Sequence, residues 1–529
     1  MGGIHLHGYW SISLNFTFTL QDHFLRIALT DGSPIPENIT KKIESKLSYL
    51  HTTFNHLSAS FGGGSFISEM RKLFAHDKSN GINCPKGFYA SIKSCVESLG
   101  GVISVNDLDS DYYKGTAFKV DIDKLDGRLT LRDRQDECLA SILSSRGGMV
   151  VGPTGFGKSF MFSAICLVYP NAKIHVITKR VDVMRRIHSG LSKYIPNIGV
   201  VGAGKKTWSR VTVITADSMH KVGHYGESEA DIVLYDEAHE AAAPTYADML
   251  TRYTKAKRFG FTASPDGRAD GAHFILEGLF GPNIFELSYS DAVKVDLIVP
   301  IKVEWITVNS PSGSACRGMS GVPKERWGIW RNEDRNEAIA KKANQYGKDE
   351  QVLIMVKSIE HAVYLKQHLP DFLICYDSMD PYDYEGYVSK GFIDPITCPI
   401  MNPARREDMR VGFEKGTIKK VISTDVWSTG VDFAQLGVLI RADARASKIV
   451  DIQAPGRVSR KHAESGKSYG LVIDVMDNFD HTFMNRSRSR KLSYKKIGWQ
   501  DITAYENISA PYFVNPGDDS FDILGSDLE

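Results

Sequence analysis

Residues 152–159, Gly-Pro-Thr-Gly-Phe-Gly-Lys-Ser, hold three glycines, a lysine and a hydroxyl in the spacing of a phosphate-binding loop. The preceding GMVV reads as a strand and the following FMFSAICLVY as a helix, which is the context such a loop requires. Gly152, Thr154, Gly155 and Gly157 would then turn backbone N–H groups toward phosphates at a helix N-terminus, and Lys158 would bring a charge to the β- and γ-phosphates. Ser159 offers its hydroxyl to Mg2+. Downstream, Asp236-Glu237-Ala238-His239 closes the strand-like run DIVLY, at the end of a parallel strand where ligands gather. Asp236 would hold Mg2+ and Glu237 would orient and deprotonate an attacking water, the division of labour that phosphoryl transfer needs. An isolated acidic pair after a strand is most often a solvated loop or a helix cap; its position after a phosphate loop favours catalysis. Further on, Gln453-Ala-Pro-Gly-Arg457-Val-Ser-Arg460 sets two arginines three residues apart, hence on one face if helical. Guanidinium forks match the charge on a transferring γ-phosphoryl, so Gln453, Arg457 and Arg460 join the catalytic set, with the arginines as fingers; a surface ion-pair helix is the alternative.

These groups need rigid elements to position them. From about residue 120 short β-rich runs (GMVVGP, KIHVITK, VTVITADS, DIVLYDE, RFGFTAS) alternate with helical stretches, the rhythm of a parallel sheet. A Pro-, Gly- and Ser-rich pause covers 297–330, and the rhythm then resumes with QVLIMVKS, FLICYDS, KKVISTDV, GVLIRAD and YGLVIDVMD. The expected fold is α/β: two tandem parallel-sheet domains, 120–296 and 331–510, joined by a linker at 297–330. A small α+β accessory domain over 1–115 precedes them, since Trp10 to Leu20 alternates with the period of a strand and two helical patterns follow, near 36–54 and 87–99. Residues 381–403 read as an insertion loop whose aromatics either stack bases or pack the loop. Residues 511–529 form an acidic tail, a place for a protein partner.

Composition narrows the class. Lys+Arg 64 against Asp+Glu 63 leaves a net charge of +1, so any polyanion site must be local. Seven cysteines without a CxxC pair fit neither a disulfide scaffold nor a zinc knuckle, and a reducing compartment suits them. With neither a signal segment nor an apolar stretch of membrane-spanning length, the expectation is a cytoplasmic protein with no membrane contact.

Gln135 in LRDRQDE, the phosphate loop, TKR at 178–180, ITADS at 214–218, DEAH, Thr262-Ala-Ser264, STDVWSTGVDF at 423–433 and QAPGRVSR occur in one order, and this set resembles superfamily 2 helicases, which implies that both parallel-sheet domains are RecA-like. The basic stretch DVMDNFDHTFMNRSRSRKLSYKKIGW resembles the phage branch-migration helicases of the UvsW type. The resemblance implies that Gln135 reads adenine and that Gly430 and Asp432 contact nucleotide. It further implies that Thr262 and Ser264 couple hydrolysis to domain movement, and that His239 links the DEAH segment to the second domain. Strand contacts would fall to Lys179, Arg180, Thr215 and Thr424, each of which reads otherwise as a solvated residue after a strand. Arg486, Arg488 and Arg490 belong to a basic run that is either a solvated face or a DNA contact. The expected activity is ATP- and Mg2+-dependent movement of a monomer on DNA, at forks or four-way junctions. An RNA helicase and an ATP-gated binding module that does not separate strands remain the alternatives.

Overall fold

The computed structural model describes residues 14–55, 65–111, 119–125, 127–222, 230–263, 274–310, 315–427, 431, 433–446, 455–462 and 466–503. Its contacts divide the chain into two compact units: Met1–Gly152 with Lys158–Glu286, and Pro153–Gly157 with Leu287–Glu529.

The first unit begins with a five-stranded sheet ordered Ala75–His76, Ile82–Pro85, Phe24–Leu29, Asn15–Gln21, Val102–Asp107. Alternation does what the sequence led one to expect: Phe16, Phe18 and Leu20 point inward against Ile39, Ile43, Ile92 and Val96 of two helices, Glu37–Lys46 and Tyr89–Ser98. The helix expected over 36–54 stops at Lys46, and Ser48–Asn55 instead pairs antiparallel with Ser65–Lys72. The β-branched and aromatic residues of SYLHTTFN favour a pleated strand over further helical turns. This small domain packs on the first large one. Phe88 stacks on Phe274 with ring centroids 5.2 Å apart, and the buried Asp109 binds both Lys86 and Arg146.

The large sheet of this unit has eight strands, in the order Lys205–Thr207, Gly199–Gly202, Val211–Thr215, Ile174–Thr178, Ile232–Asp236, Lys257–Thr262, Gly148–Val151, Asn283–Glu286. All pairings are parallel except that of the first two strands. The middle strands are buried along their whole length, as expected when helices cover both faces.

The second unit is built on seven parallel strands ordered Leu373–Cys375, Lys420–Ser423, Val352–Met355, Val438–Arg441, Gly470–Asp477, Ile301–Val308, Gln500–Asp501. Residues 297–330 are therefore not a linker. Ile301–Val308 pairs over eight residues with Gly470–Asp477, and a helix, Gly321–Glu325, runs into a π-helical turn, Arg326–Trp330. The prolines at 300 and 311 bracket that strand rather than interrupt it. Nor is 381–403 an irregular loop: Asp380 caps a helix over Pro381–Ser389, and Ile393, Cys398 and Met401 are buried in the core that Tyr384, Tyr387 and Phe392 cover. Its aromatics are packing residues, apart from Tyr382, which is 83% exposed.

Candidate nucleotide and nucleic-acid sites

The strand Gly148–Val151 feeds residues 152–157, and the helix Lys158–Val168 follows at once. Gly155 and Gly157 have φ of +95° and +93°, where a side chain would be strained, so the loop needs glycine at both places. Gly152 N–H donates to Thr262 O at 3.0 Å, which ties the loop's start to the end of the neighbouring strand. Lys158 and Ser159, at the helix start, are partly exposed, whereas Phe156 is fully buried.

Asp236 ends its strand almost fully buried, and Glu237 adopts the left-handed conformation, φ 53° and ψ 56°, that starts the turn Ala238–Ala242. That turn brings the Glu237 carboxylate back to the loop: Lys158 Nζ donates to its Oε1 at 3.0 Å. His239 Nδ1 lies 3.6 Å from Glu237 Oε2 and 3.2 Å from Thr262 Oγ1. Burial, reinforced by the adjacent Glu237, pushes the Asp236 carboxyl up to about 6. Burial opposes ionisation of Glu237 too, but Lys158 and His239 outweigh it and hold that carboxyl below its ordinary range. The structure thus gathers Lys158, Asp236, Glu237, His239 and Thr262. Among the described residues no group of three or more His, Cys, Asp or Glu side chains is placed to hold a metal ion. Gln135, fully buried, opens the helix Gln135–Ser144, and its Oε1 accepts from Arg132 N–H at 2.9 Å.

Thr178 and Thr215 are paired at the ends of adjacent parallel strands, which sets TKR and ITADS side by side. Thr215 is buried and donates to Ser218 Oγ at 2.7 Å. Lys179 lies 3.8 Å from Glu240 and over the Tyr246 ring, and Arg180 precedes the helix Val181–Leu191.

In the second unit Thr424 follows its strand almost buried and donates its N–H to Cys375 O. Arg457, 5% exposed, lies in the turn Pro455–Ser459 and reaches Val431 O at 3.3 Å. Arg460 forms an isolated bridge with Ile298. Ser459 Oγ lies 3.3 Å from Thr154 O, in the five-residue segment that groups with this unit. Ser264, Gly430, Asp432 and Gln453, like the acidic tail, lie outside the described residues.

The basic run needs correction. It is a helix, His481–Ile497, on which Arg490 is completely buried, bonded to Asp474 at 3.0 Å and to Val475 O at 2.7 Å. Arg490 is a core residue and cannot meet a strand. Arg486 is paired with Glu325, and Arg488 is exposed. Sequence reasoning missed the network to which Arg490 belongs. Tyr494 Oη donates to Asp474 at 2.7 Å and accepts from Arg441, which pairs with Asp443; Arg445 bridges Asp443 and Asp425 of the STDVW segment. Burial would raise the Asp443 carboxyl, but Arg441, Arg445 and Arg490 together hold it well below the carboxylate range. Charged residues at strand ends were the available signal.

Comparison with known proteins agrees with this anatomy. Residues 128–267 match the family described as "Type III restriction enzyme, res subunit", and residues 334–462 the "Helicase conserved C-terminal domain". The chain is 23% identical over 367 residues to a DNA 3'-5' translocase XPB2 of Sulfurisphaera tokodaii, covering 66% of this chain and 82% of that protein. It is 26% identical over 344 residues to the ATP-dependent DNA helicase uvsW of Enterobacteria phage T4, covering 62% and 64% of the two chains. Among solved structures, a single-site variant of S. cerevisiae Dbp5 bound to RNA and ADP BeF3 has a TM-score of 0.50 at 14% identity, covering 71% of this chain and 90% of that one, a likeness of fold.

Proposed function

We propose that this superfamily 2 helicase, a nucleic-acid-dependent ATPase, translocates on DNA and acts where duplexes branch. The observation that carries the ATPase half is the Lys158–Glu237 contact at 3.0 Å, with His239 between Glu237 and Thr262. It links Lys158 to a carboxylate held below its ordinary range and, through His239 at 3.6 Å from that carboxylate, to the strand-end Thr262. ATP fits the loop, because left-handed Gly155 and Gly157 leave backbone amides free of side chains next to Lys158 at a helix N-terminus. Ser159 and Asp236 would hold Mg2+, which neutralises charge on the transferring phosphoryl. Glu237 positions and deprotonates the water, Gln135 reads the adenine, and Arg457 and Arg460 meet the developing charge. Gly430 and Asp432 contact nucleotide, while Thr262 and Ser264 pass the γ-phosphate state onward.

DNA as substrate is supported by the XPB2 and uvsW relatives, and Lys179, Arg180, Thr424 and Arg488 are the residues assigned to its backbone. Preference for branches is assigned to the small N-terminal domain, which the Phe88–Phe274 stack and Asp109 fix to the first large sheet. The test is ATPase and strand displacement by the full chain on linear, forked and four-way DNA and on RNA. Forked and four-way DNA should stimulate most. Equal stimulation by linear duplex removes the branch assignment, and stronger stimulation by RNA removes DNA as the substrate.

A further inference from the structure

The helix His481–Ile497 has one face in the core and one in water. Phe483, Ser487, Arg490 and Tyr494 are buried, whereas Asn485, Arg488, Leu492, Lys495 and Lys496, spaced by threes and fours, share the outer face and are all exposed. Two other cations of the helix are committed, Arg486 to Glu325 and Lys491 to Asp501 at 2.9 Å. Arg488, Lys495 and Lys496 share no ion pair with a described residue. In a chain whose net charge is +1, three uncompensated cations on one face make a local field for an anion, and Leu492, 68% exposed, adds apolar surface among them.

The sequence that follows the helix has the complementary composition. Residues 504–529 contain Glu506, Asp518, Asp519, Asp522, Asp527 and Glu529 and no lysine, arginine or histidine. Asp518 to Leu524 interleaves carboxylates with Phe521, Ile523 and Leu524, as the helix face interleaves cations with Leu492. The chain also leaves in the right direction. Gly498, at φ 95°, turns it back along the helix, where Trp499 stacks on Tyr494 at 4.8 Å and Asp501 meets Lys491. The first carboxylate after the helix thus already sits on a helix lysine. Extended chain from Thr503 to Asp518 spans up to about 50 Å. The 17-residue helix is about 25 Å long, so these carboxylates can reach the whole face. Tethering at this length gives an effective concentration on the order of millimolar, which lets weak exposed ion pairs compete with a ligand from solution.

We propose that residues 504–529 occupy this face when no nucleic acid is bound, with their carboxylates on Arg488, Lys495 and Lys496, so that DNA must displace the chain's own tail to reach the helix. The inference rests on the DNA reading above. It is tested in the full chain with two sets of substitutions: Asp518→Asn, Asp519→Asn, Asp522→Asn and Asp527→Asn in the tail, and Arg488→Ala, Lys495→Ala and Lys496→Ala on the face. Without DNA and at low salt, chymotrypsin should cut after Phe513 and Phe521 about tenfold more slowly in the wild type than in the face variant, as the released fragments report by mass spectrometry. In duplex-binding anisotropy the tail set should raise affinity about tenfold, because a face that is free one-tenth of the time binds about ten times more weakly. That gain should shrink as salt rises, and on the face variant the tail set should change nothing. Thermal melting checks the fold, and the tail set, which leaves the helix untouched, keeps the proposal open to refutation should the face variant unfold. Equal cutting of the wild type and the face variant overturns the contact. So does an equal gain in affinity with and without the face cations, which assigns the effect to the tail's charge at large. No gain at all overturns it too and leaves the tail to a protein partner. In each of these cases DNA-stimulated ATPase in the wild type keeps the functional reading standing, whereas a chain that no nucleic acid binds or stimulates removes both.

Discussion

Alanine at position 490 separates two roles that a basic helix can have. Arg490 is fully buried; its guanidinium bonds Asp474 at 3.0 Å and Val475 O at 2.7 Å, and Asp474 in turn accepts from Tyr494 Oη. Arg490→Ala leaves the buried Asp474 carboxylate without its counter-ion, bonded only to the Tyr494 phenol and the Val475 N–H. Breaking a buried ion pair by removing one partner costs about 3–5 kcal/mol. At about 2–4 °C of melting temperature per kcal/mol for a domain of about 150–250 residues, the second unit should melt roughly 6–20 °C lower. Arg488→Ala, two residues away on the exposed face, should leave melting unchanged and lower DNA affinity. Its binding curve against salt should flatten by a slope of about 0.9 for one lost duplex-phosphate contact. The assays are differential scanning fluorimetry and DNA binding across a salt series. Replacing both partners, Arg490→Met with Asp474→Leu, should recover most of the loss because no charge remains unpaired. The burial argument fails if Arg490→Ala melts within about 2 °C of wild type and instead reduces the salt slope as Arg488→Ala does.

Lys158→Ala should abolish ATP turnover with little change in melting, since its side chain is partly exposed at a loop; folded protein with near wild-type hydrolysis removes the phosphate-loop assignment. Glu237→Gln should still bind ATP yet hydrolyse it about 10²–10⁴-fold more slowly, as measured by filter binding beside steady-state turnover. Lys467, buried and donating to Ala434 O and Leu436 O, has its pKa lowered to about 7 by burial and by the Arg460 charge. Below pH about 7 both folded and unfolded chains hold that proton and the fold bears the full cost of a buried ammonium; between about 7 and about 10 only the unfolded chain holds it, so stability rises with pH. Lys467→Met should therefore raise the melting temperature most near pH 6 and progressively less toward pH 9, and an offset that does not vary with pH refutes the assignment. Gly87→Ala puts a Cβ into Glu277 O, where the small domain meets the first large one, and should expose the Phe88 region to limited proteolysis.

Motifs were legible where local chemistry dictates them. Gly155 and Gly157 are glycine because of their own φ angles, and β-rich runs such as IHVIT and IVLYD announced strands, which the fold buries along their whole length. The strand Ile301–Val308 was hidden by its flanking prolines, although its burial alternates along most of its length. Fates fixed by distant partners were not legible. Nothing near Arg490 in sequence distinguishes it from Arg488, because its counter-ion is 16 residues upstream, inside the strand Gly470–Asp477.

Asp425, Asp443 and Asp474 face Arg441, Arg445 and Arg490 in one connected network, three negative charges against three positive, with Tyr494 as the hinge pin. The set sums to zero, and Arg441, Arg490, Asp443 and Asp474 are buried where dissolved salt has little to screen, whereas the Arg445–Asp425 pair that ties in the STDVW segment is partly exposed and weakens as salt rises. The same neutrality constrains inheritance. A lone substitution of Arg490 or Asp474 strands a buried charge, so these two residues tolerate replacement together better than singly.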